Sequence, residues 1–115
     1  MKFRKKHYRS QMDQKDCGVA SLAMVFGYFG SYYSLARLRE LAKTTINGTT
    51  ALGLVKVAEE LGFETQAIQA DMRLFDLPDL TFPFIVHVLK EGELLHYYVV
   101  TGRDKENIHI ADPDP

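Results

Sequence analysis

The chain has 115 residues, 14 of them basic and 15 acidic, for a formal charge of -1. This is one domain's worth of sequence, and the charge gives no electrostatic argument for nucleic acid or a membrane surface as partner. Its single cysteine, Cys17, cannot form an internal disulfide and so permits a reducing, cytosolic setting. No apolar run approaches the ~18 to 20 residues that span a bilayer. The basic start Met1 to His7 is followed by polar Tyr8 to Asp16, where a secretion signal would need an apolar core.

Gly18 to Phe29 is apolar nearly all round, which predicts a buried central helix stopped by Gly30. Ser34 caps a second helix through Ala42, with Leu35, Leu38, Leu41 and Ala42 on one face and Arg37, Arg39 and Glu40 toward water. Asn47-Gly48-Thr49-Thr50 reads as a loop and cap before a third helix to about Leu61, whose stripe is Ala51, Leu54, Val55, Ala58 and Leu61. Beyond Gly62 the pattern becomes strand-like over Phe63 to Ala70, Phe82 to Lys90, Leu94 to Thr101 and Asn107 to Ala111. Met72, Leu74, Phe75 and Leu77 suit one helical turn between them. Short connectors at Glu91-Gly92-Glu93 and Arg103 to Asn107 make the last three strands an antiparallel meander. Helices first and strands second imply an α+β fold.

Cys17 falls at the first turn of the first helix, where unpaired N–H groups and the positive dipole end favour a thiolate. A thiol so placed can have its pKa held well below the ordinary ~8.5. A lone cysteine is equally at home as an inert, buried hydrophobe. A thiolate enzyme also needs a base, a group to orient it and oxyanion donors. Four histidines compete for the base. His7 lies in the charged N-terminal arm and reads as a solvated residue, and His109 as the exposed side of the last strand. His87 and His96 are polar exceptions in largely apolar strands, where His96 alternates with Tyr98 and Val100. Asp112, in Ala111-Asp112-Pro113-Asp114-Pro115, is either a turn residue or a carboxylate within reach of a histidine on the neighbouring strand. Gln11 is either an exposed glutamine or an amide aimed, with the backbone N–H of Cys17, at one oxyanion. Neither a zinc-like Cys/His pairing nor a phosphate-binding glycine loop is present.

Taken together, Gln11, Asp16-Cys17-Gly18, Leu95-His96-Tyr97-Tyr98-Val99-Val100 and Ala111-Asp112-Pro113 resemble the bacteriocin-processing, double-glycine leader peptidases. These are papain-like cysteine peptidase domains at the N-termini of ABC exporters, and the likeness covers essentially the whole chain. The resemblance implies a helical half packed on a C-terminal antiparallel sheet. It assigns Cys17 as nucleophile, His96 as base and then acid, Asp112 as its orienter and Gln11 as side-chain oxyanion donor, and so selects His96 over His87. It implies one peptidase domain over residues 1–115, on the cytoplasmic face of the membrane as part of a longer transporter. Its partners are then the exporter's transmembrane and ATPase domains and a bacteriocin or pheromone precursor cut after Gly-Gly. No metal or organic cofactor is implied for this domain, ATP being expected only in the exporter's nucleotide-binding domain. Two glycines suit a narrow channel that excludes Cβ atoms.

An amphipathic leader helix calls for an apolar groove, for which Tyr28, Tyr32, Tyr33, Leu52, Leu54 and Val55 are candidates wherever they are exposed. Papain's own Cys-Gly-Ser/Ala-Cys-Trp/Tyr signature is absent, so papain's specificity does not carry over. The family domain ordinarily continues past Ala-Asp-Pro, which leads to the expectation of a shortened domain with Asp112 loosely held. A non-cleaving substrate-binding module and a different Cys/His/Asp thiol enzyme, an acyltransferase or amidase, are the rival readings.

Overall fold

The computed structural model describes residues 2–12, 14–45, 48–90 and 94–114. Three helices come first, α1 (Cys17–Tyr28), α2 (Leu35–Ala42) and α3 (Ala51–Glu60). A three-stranded antiparallel sheet follows, β1 (Phe84–Lys90), β2 (Leu94–Arg103) and β3 (Ile108–Ala111), in the spatial order β1-β2-β3. This is the α+β meander that the sequence predicts. The tip between β1 and β2, expected at Glu91-Gly92-Glu93, and Asn47 of the loop before α3 lie outside the described residues.

Every residue of α1 except Val25 is buried, as its all-round apolar sequence requires. Val19, Ala20, Leu22, Ala23 and Phe26 join Leu35, Leu38 and Ala42 of α2, Leu54, Val57 and Ala58 of α3, and Tyr97 of β2 in one core cluster. Met24 packs separately with Val99 of β2 and Ala111 of β3. Each large apolar side chain removed from water contributes about 1.5–3 kcal/mol, so α1 is the element the two halves share. The helix ends at Gly30, whose φ of 89° is readily adopted only without a Cβ, and the Gly30 and Ser31 N–H groups donate back to the Gly27 and Phe26 carbonyls. Ser34 and Thr50 cap α2 and α3 by accepting from the N–H groups of Arg37 and Gly53.

The structure corrects four sequence expectations. Residues 63–70 form no strand: Phe63 is half-buried, but 64–70 are exposed, since Glu64, Thr65 and Gln66 supply no apolar face to bury against a sheet. In α3 it is Val57, not Ala51, that joins Leu54 and Ala58 inside, and Ala51 is exposed in the first turn. Arg39 is half-buried rather than turned fully toward water. Its guanidinium donates from Nε and Nη2 to Oδ1 and Oδ2 of Asp16 at 2.8 and 3.1 Å, because a planar fork satisfies both oxygens of a buried carboxylate at once.

The fourth correction is His7, which is buried in the N-terminal arm rather than solvated. Its ring lies 5.3 Å from that of Phe3 and 5.7 Å from that of Tyr28, and its Nδ1 accepts the Arg4 N–H at 2.9 Å. That bond requires an unprotonated Nδ1. Burial first, then the positive charges of Lys6 and Arg4, push the His7 pKa down from its ordinary value. The unfolded chain therefore binds a proton more readily at this site, so His7's contribution to stability is complete above the unfolded pKa of 6.5 and is lost as pH falls below it. The pKa of His87, which is exposed but partly desolvated, is also lowered, first by that desolvation and then by the charge of His96. The melting temperature should fall between pH 7.5 and 5.5, and His7→Gln, which keeps an acceptor but no titration, should flatten part of that slope. An unchanged slope in His7→Gln would show that His7 binds protons equally in the folded and unfolded states.

Candidate active site

The sequence candidates converge where β3 stops. The β2–β3 ladder ends at the pair Val99–Ala111, so it does not extend to residues 96–98 of β2. Asp112, the first residue past β3, comes up against that part of β2, and His96 Nε2 lies 2.7 Å from its Oδ1. A carboxylate only accepts, so Nε2 carries the proton and Nδ1 is left as the basic nitrogen. The His96 side chain is 8% exposed and that of Asp112 28%, so the pair is sheltered on the histidine side and open to solvent on the carboxylate side.

Cys17 begins α1 and is buried against the same strand. The backbone N–H groups of Tyr97, Gly18 and Cys17 itself act on its sulfur and favour the thiolate. Burial outweighs them, and the negative charge of Asp112 adds to its effect, so the thiol pKa is raised rather than lowered. The helix terminus therefore does not by itself supply the thiolate that the sequence position suggests. A thiol held this way ionises readily only where a base takes its proton.

Asp112 is not loosely held. The Tyr8 hydroxyl donates to its backbone carbonyl at 2.7 Å, the Gln11 N–H donates to the carbonyl of Pro113 at 2.8 Å, and the Asp114 N–H donates to Asp112 Oδ1 at 2.9 Å. Pro113 is fully buried. The N-terminal arm thus straps residues 112–113, with the Gln11 backbone beside Pro113 and its side-chain Oε1 buried without a hydrogen-bond partner among the described residues. Burial raises the Tyr8 pKa, as do the charges of Asp112 and Asp114, which keeps the hydroxyl a donor.

Tyr97 and Gly18 were not singled out for the site from sequence, yet they set the approach of α1 to β2. A Cβ on Gly18 would lie 3.2 and 3.3 Å from Cδ2 and Cε2 of the Tyr97 ring. That ring stacks on His87, with centroids 4.0 Å apart and planes 9° apart, and its hydroxyl donates to the Thr49 carbonyl at 2.9 Å. Burial, followed by the charge of Cys17, pushes the Tyr97 pKa up to about 12, so the hydroxyl remains a donor. The only sequence signal for these two was their adjacency to Cys17 and His96. His87 stands across from Tyr97 on β1, is exposed, and makes its ring contact with Tyr97. His109 is exposed and paired with Asp104, as a strand-edge residue should be.

Of the six groove candidates, Tyr28 and Leu54 are core residues, since each lies on the inward side of its helix. Tyr33 and Val55 are half-buried, whereas Tyr32 and Leu52 are 69% and 63% exposed. Among the described residues, no group of three or more His, Cys, Asp or Glu is placed to hold a metal ion, and no helix is long and apolar enough to cross a membrane.

Residues 5–115 match the Peptidase C39 family. The chain is 83% identical over its whole length to the transport/processing ATP-binding protein ComA of Streptococcus pneumoniae R6, and 58% identical over 113 residues to the mesentericin-Y105 transport/processing ATP-binding protein MesD of Leuconostoc mesenteroides. It spans 16% of the length of each of these relatives. A crystal structure of the peptidase domain of Streptococcus ComA, a bi-functional ABC transporter involved in a quorum-sensing pathway, superimposes with a TM-score of 0.88 at 58% identity. That match covers 93% of this chain and 78% of that one. A double-glycine motif protease from an AMS/PCAT transporter, solved with its leader peptide, superimposes with a TM-score of 0.79 at 30% identity over 91% of this chain and 71% of that one. By the match across nearly all of its residues and by its α+β, papain-like fold, the chain belongs to the Peptidase C39 family of cysteine peptidases.

Proposed function

We propose that this chain is the peptidase domain of a peptide exporter, and that it cleaves the leader from a secreted peptide precursor after a Gly-Gly pair. The observation that carries the reading is the 2.7 Å His96–Asp112 contact, one residue along β2 from the N–H that faces the Cys17 sulfur. The likeness to transport/processing proteins supports the coupling to export, and the leader-bound relative supports the substrate class.

In this mechanism Nδ1 of His96 takes the Cys17 proton, and the thiolate attacks the carbonyl carbon of the second glycine. Asp112 holds the imidazole tautomer and stabilises the imidazolium. The Gln11 amide and the Cys17 N–H donate to the oxyanion, and the C–N bond breaks as His96 returns its proton to the leaving amine. Water, deprotonated by the same histidine, then hydrolyses the thioester and frees the thiol. No step requires a metal or an organic cofactor, and ATP belongs to the exporter's ATPase domain. In this reading the domain works beside the exporter's transmembrane and ATPase domains, on the cytoplasmic face of the membrane. The exposed side chains of Tyr32 and Leu52, with the half-buried Tyr33 and Val55, offer apolar surface to the leader helix.

Mass spectrometry of a double-glycine precursor incubated with the chain tests the assignment. Cys17→Ala should keep the fold and leader binding but release no product, and full turnover by that variant would sink the proposal. His96→Ala should lose cleavage by at least ~100-fold, the scale of general acid–base catalysis, whereas His87→Ala should stay within about threefold of wild type. The opposite ranking would exchange the two histidines. Gly18→Ala should lower stability by about 1–2 kcal/mol through overpacking against Tyr97 and slow cleavage by more than its melting temperature explains. Wild-type cleavage in Gly18→Ala would show that the Tyr97 ring can give way without moving the sulfur.

A further inference from the structure

Asp16 precedes the proposed nucleophile at the N-terminal cap position of α1. An aspartate there ordinarily accepts a hydrogen bond from an N–H two or three residues on. Such a cap would lay a negative charge over the first-turn amides that act on the Cys17 sulfur. Asp16 makes no capping bond. Its backbone is helical, with φ of -91° and ψ of -2°, because the 3-10 turn Gln14–Asp16 runs straight into α1. The carboxylate is fully buried and is gripped at both oxygens by Arg39, whose side chain reaches from α2 and is 31% exposed.

We propose that Arg39 is a positioning residue for the thiol: by capturing the Asp16 carboxylate it keeps the first turn of α1 open to the Cys17 sulfur and to the oxyanion. The inference rests on the reading of Cys17 as nucleophile. Its electrostatic logic is specific to this site. The segment after β3 already presents one carboxylate, Asp112, whose charge opposes the thiolate, and β2 presents His96, which needs a single negative partner. Releasing Asp16 would add a second carboxylate beside the sulfur and remove donors from it. Because the grip comes from α2, the thiol's reactivity is also tied to the seating of that helix, which is fixed by Leu35, Leu38 and Ala42 in the core.

The pH dependence of Cys17 alkylation by iodoacetamide, measured beside kcat and KM for a Gly-Gly precursor, separates this role from simple support of the fold. In Arg39→Gln the alkylation midpoint should move to higher pH, so that at a pH below it the rate falls about tenfold, the change in thiolate fraction that one pKa step produces. The value of kcat should fall with KM unchanged. Arg39→Lys, which keeps the charge but loses the fork, should move the same way by less. The double variant Asp16→Ala/Arg39→Gln has no ion pair and no capping side chain, yet it should return to within about threefold of wild type, since neither a carboxylate nor a capping oxygen remains to compete. A pair that only supports the fold predicts the reverse, with the double variant as impaired as Arg39→Gln. A wild-type alkylation profile in folded Arg39→Gln, or a double variant as slow as the single one, overturns the proposal. Should Arg39→Gln not fold, an unchanged profile in Arg39→Lys overturns it as well. A wild-type chain whose Cys17 alkylates normally while the Gly-Gly peptide stays intact overturns the proposed function instead, and the alkylation comparison still decides the role of Arg39.

Discussion

The contact between the first turn of α1 and strand β2 is the constraint on which the rest of the structure depends. Gly18 gives the helix its close approach, the Tyr97 ring fills the space where a Cβ would be, and the Tyr97 N–H reaches the Cys17 sulfur. Tyr97 is fixed at its hydroxyl by the Thr49 carbonyl at the start of α3 and on its face by His87 of β1. Helical half and sheet therefore meet through this aromatic side chain as well as through the apolar packing of Met24 on Val99 and Ala111. A shift of α1 relative to β2 would move the sulfur with respect to His96, which lies next along the strand, and a displacement on the scale of one ångström is enough to cost a catalytic arrangement about a hundredfold.

Two straps hold the remaining groups to this contact. One is the N-terminal arm, anchored by the burial of His7 against Phe3 and Tyr28, which ties down residues 112–113 through Tyr8 and Gln11. Asp112, the partner of His96, is thus held from the other end of the chain, although by sequence it sits in a short irregular segment after a four-residue strand. The other strap is the Asp16–Arg39 pair, which ties the start of α1 to α2. Both use polar groups in the interior. An unpaired buried carboxylate carries a heavy desolvation penalty, so each such group defines one arrangement more sharply than apolar packing does.

The thiol illustrates how local and tertiary effects compete. Its position at a helix start argues for a thiolate, and the backbone N–H groups around the sulfur do act in that direction. Packing α1 into the core removes the sulfur from water, and that penalty on the charged form is larger. Under the proposed mechanism, a thiol whose charged form is disfavoured by burial ionises by giving its proton to the His96 imidazole, so that reactivity depends on the assembled site. Sequence position predicted the helix terminus correctly, but the sign of the pKa shift depends on burial, which only the packed structure sets.

What the sequence determined by itself was whatever depends on neighbours along the chain. The all-round apolar run of α1, the Ser34 and Thr50 caps, the stop at Gly30 and the order of helices before strands are local patterns, and they appear in the structure with boundaries shifted by a residue or two. The motifs around Gln11, Cys17, His96 and Asp112 also sufficed to indicate the family. Tertiary structure decided the fate of side chains whose partners are distant in sequence. Arg39 turns to a carboxylate 23 positions away, His7 is buried by contacts with Phe3 and Tyr28, and residues 63–70 form no strand, with 64–70 left exposed. Periodicity reports which face of an element is apolar, but the choice of what lies opposite that face is made by packing, and here packing selected the ion pair, the aromatic wedge and the strap on Asp112.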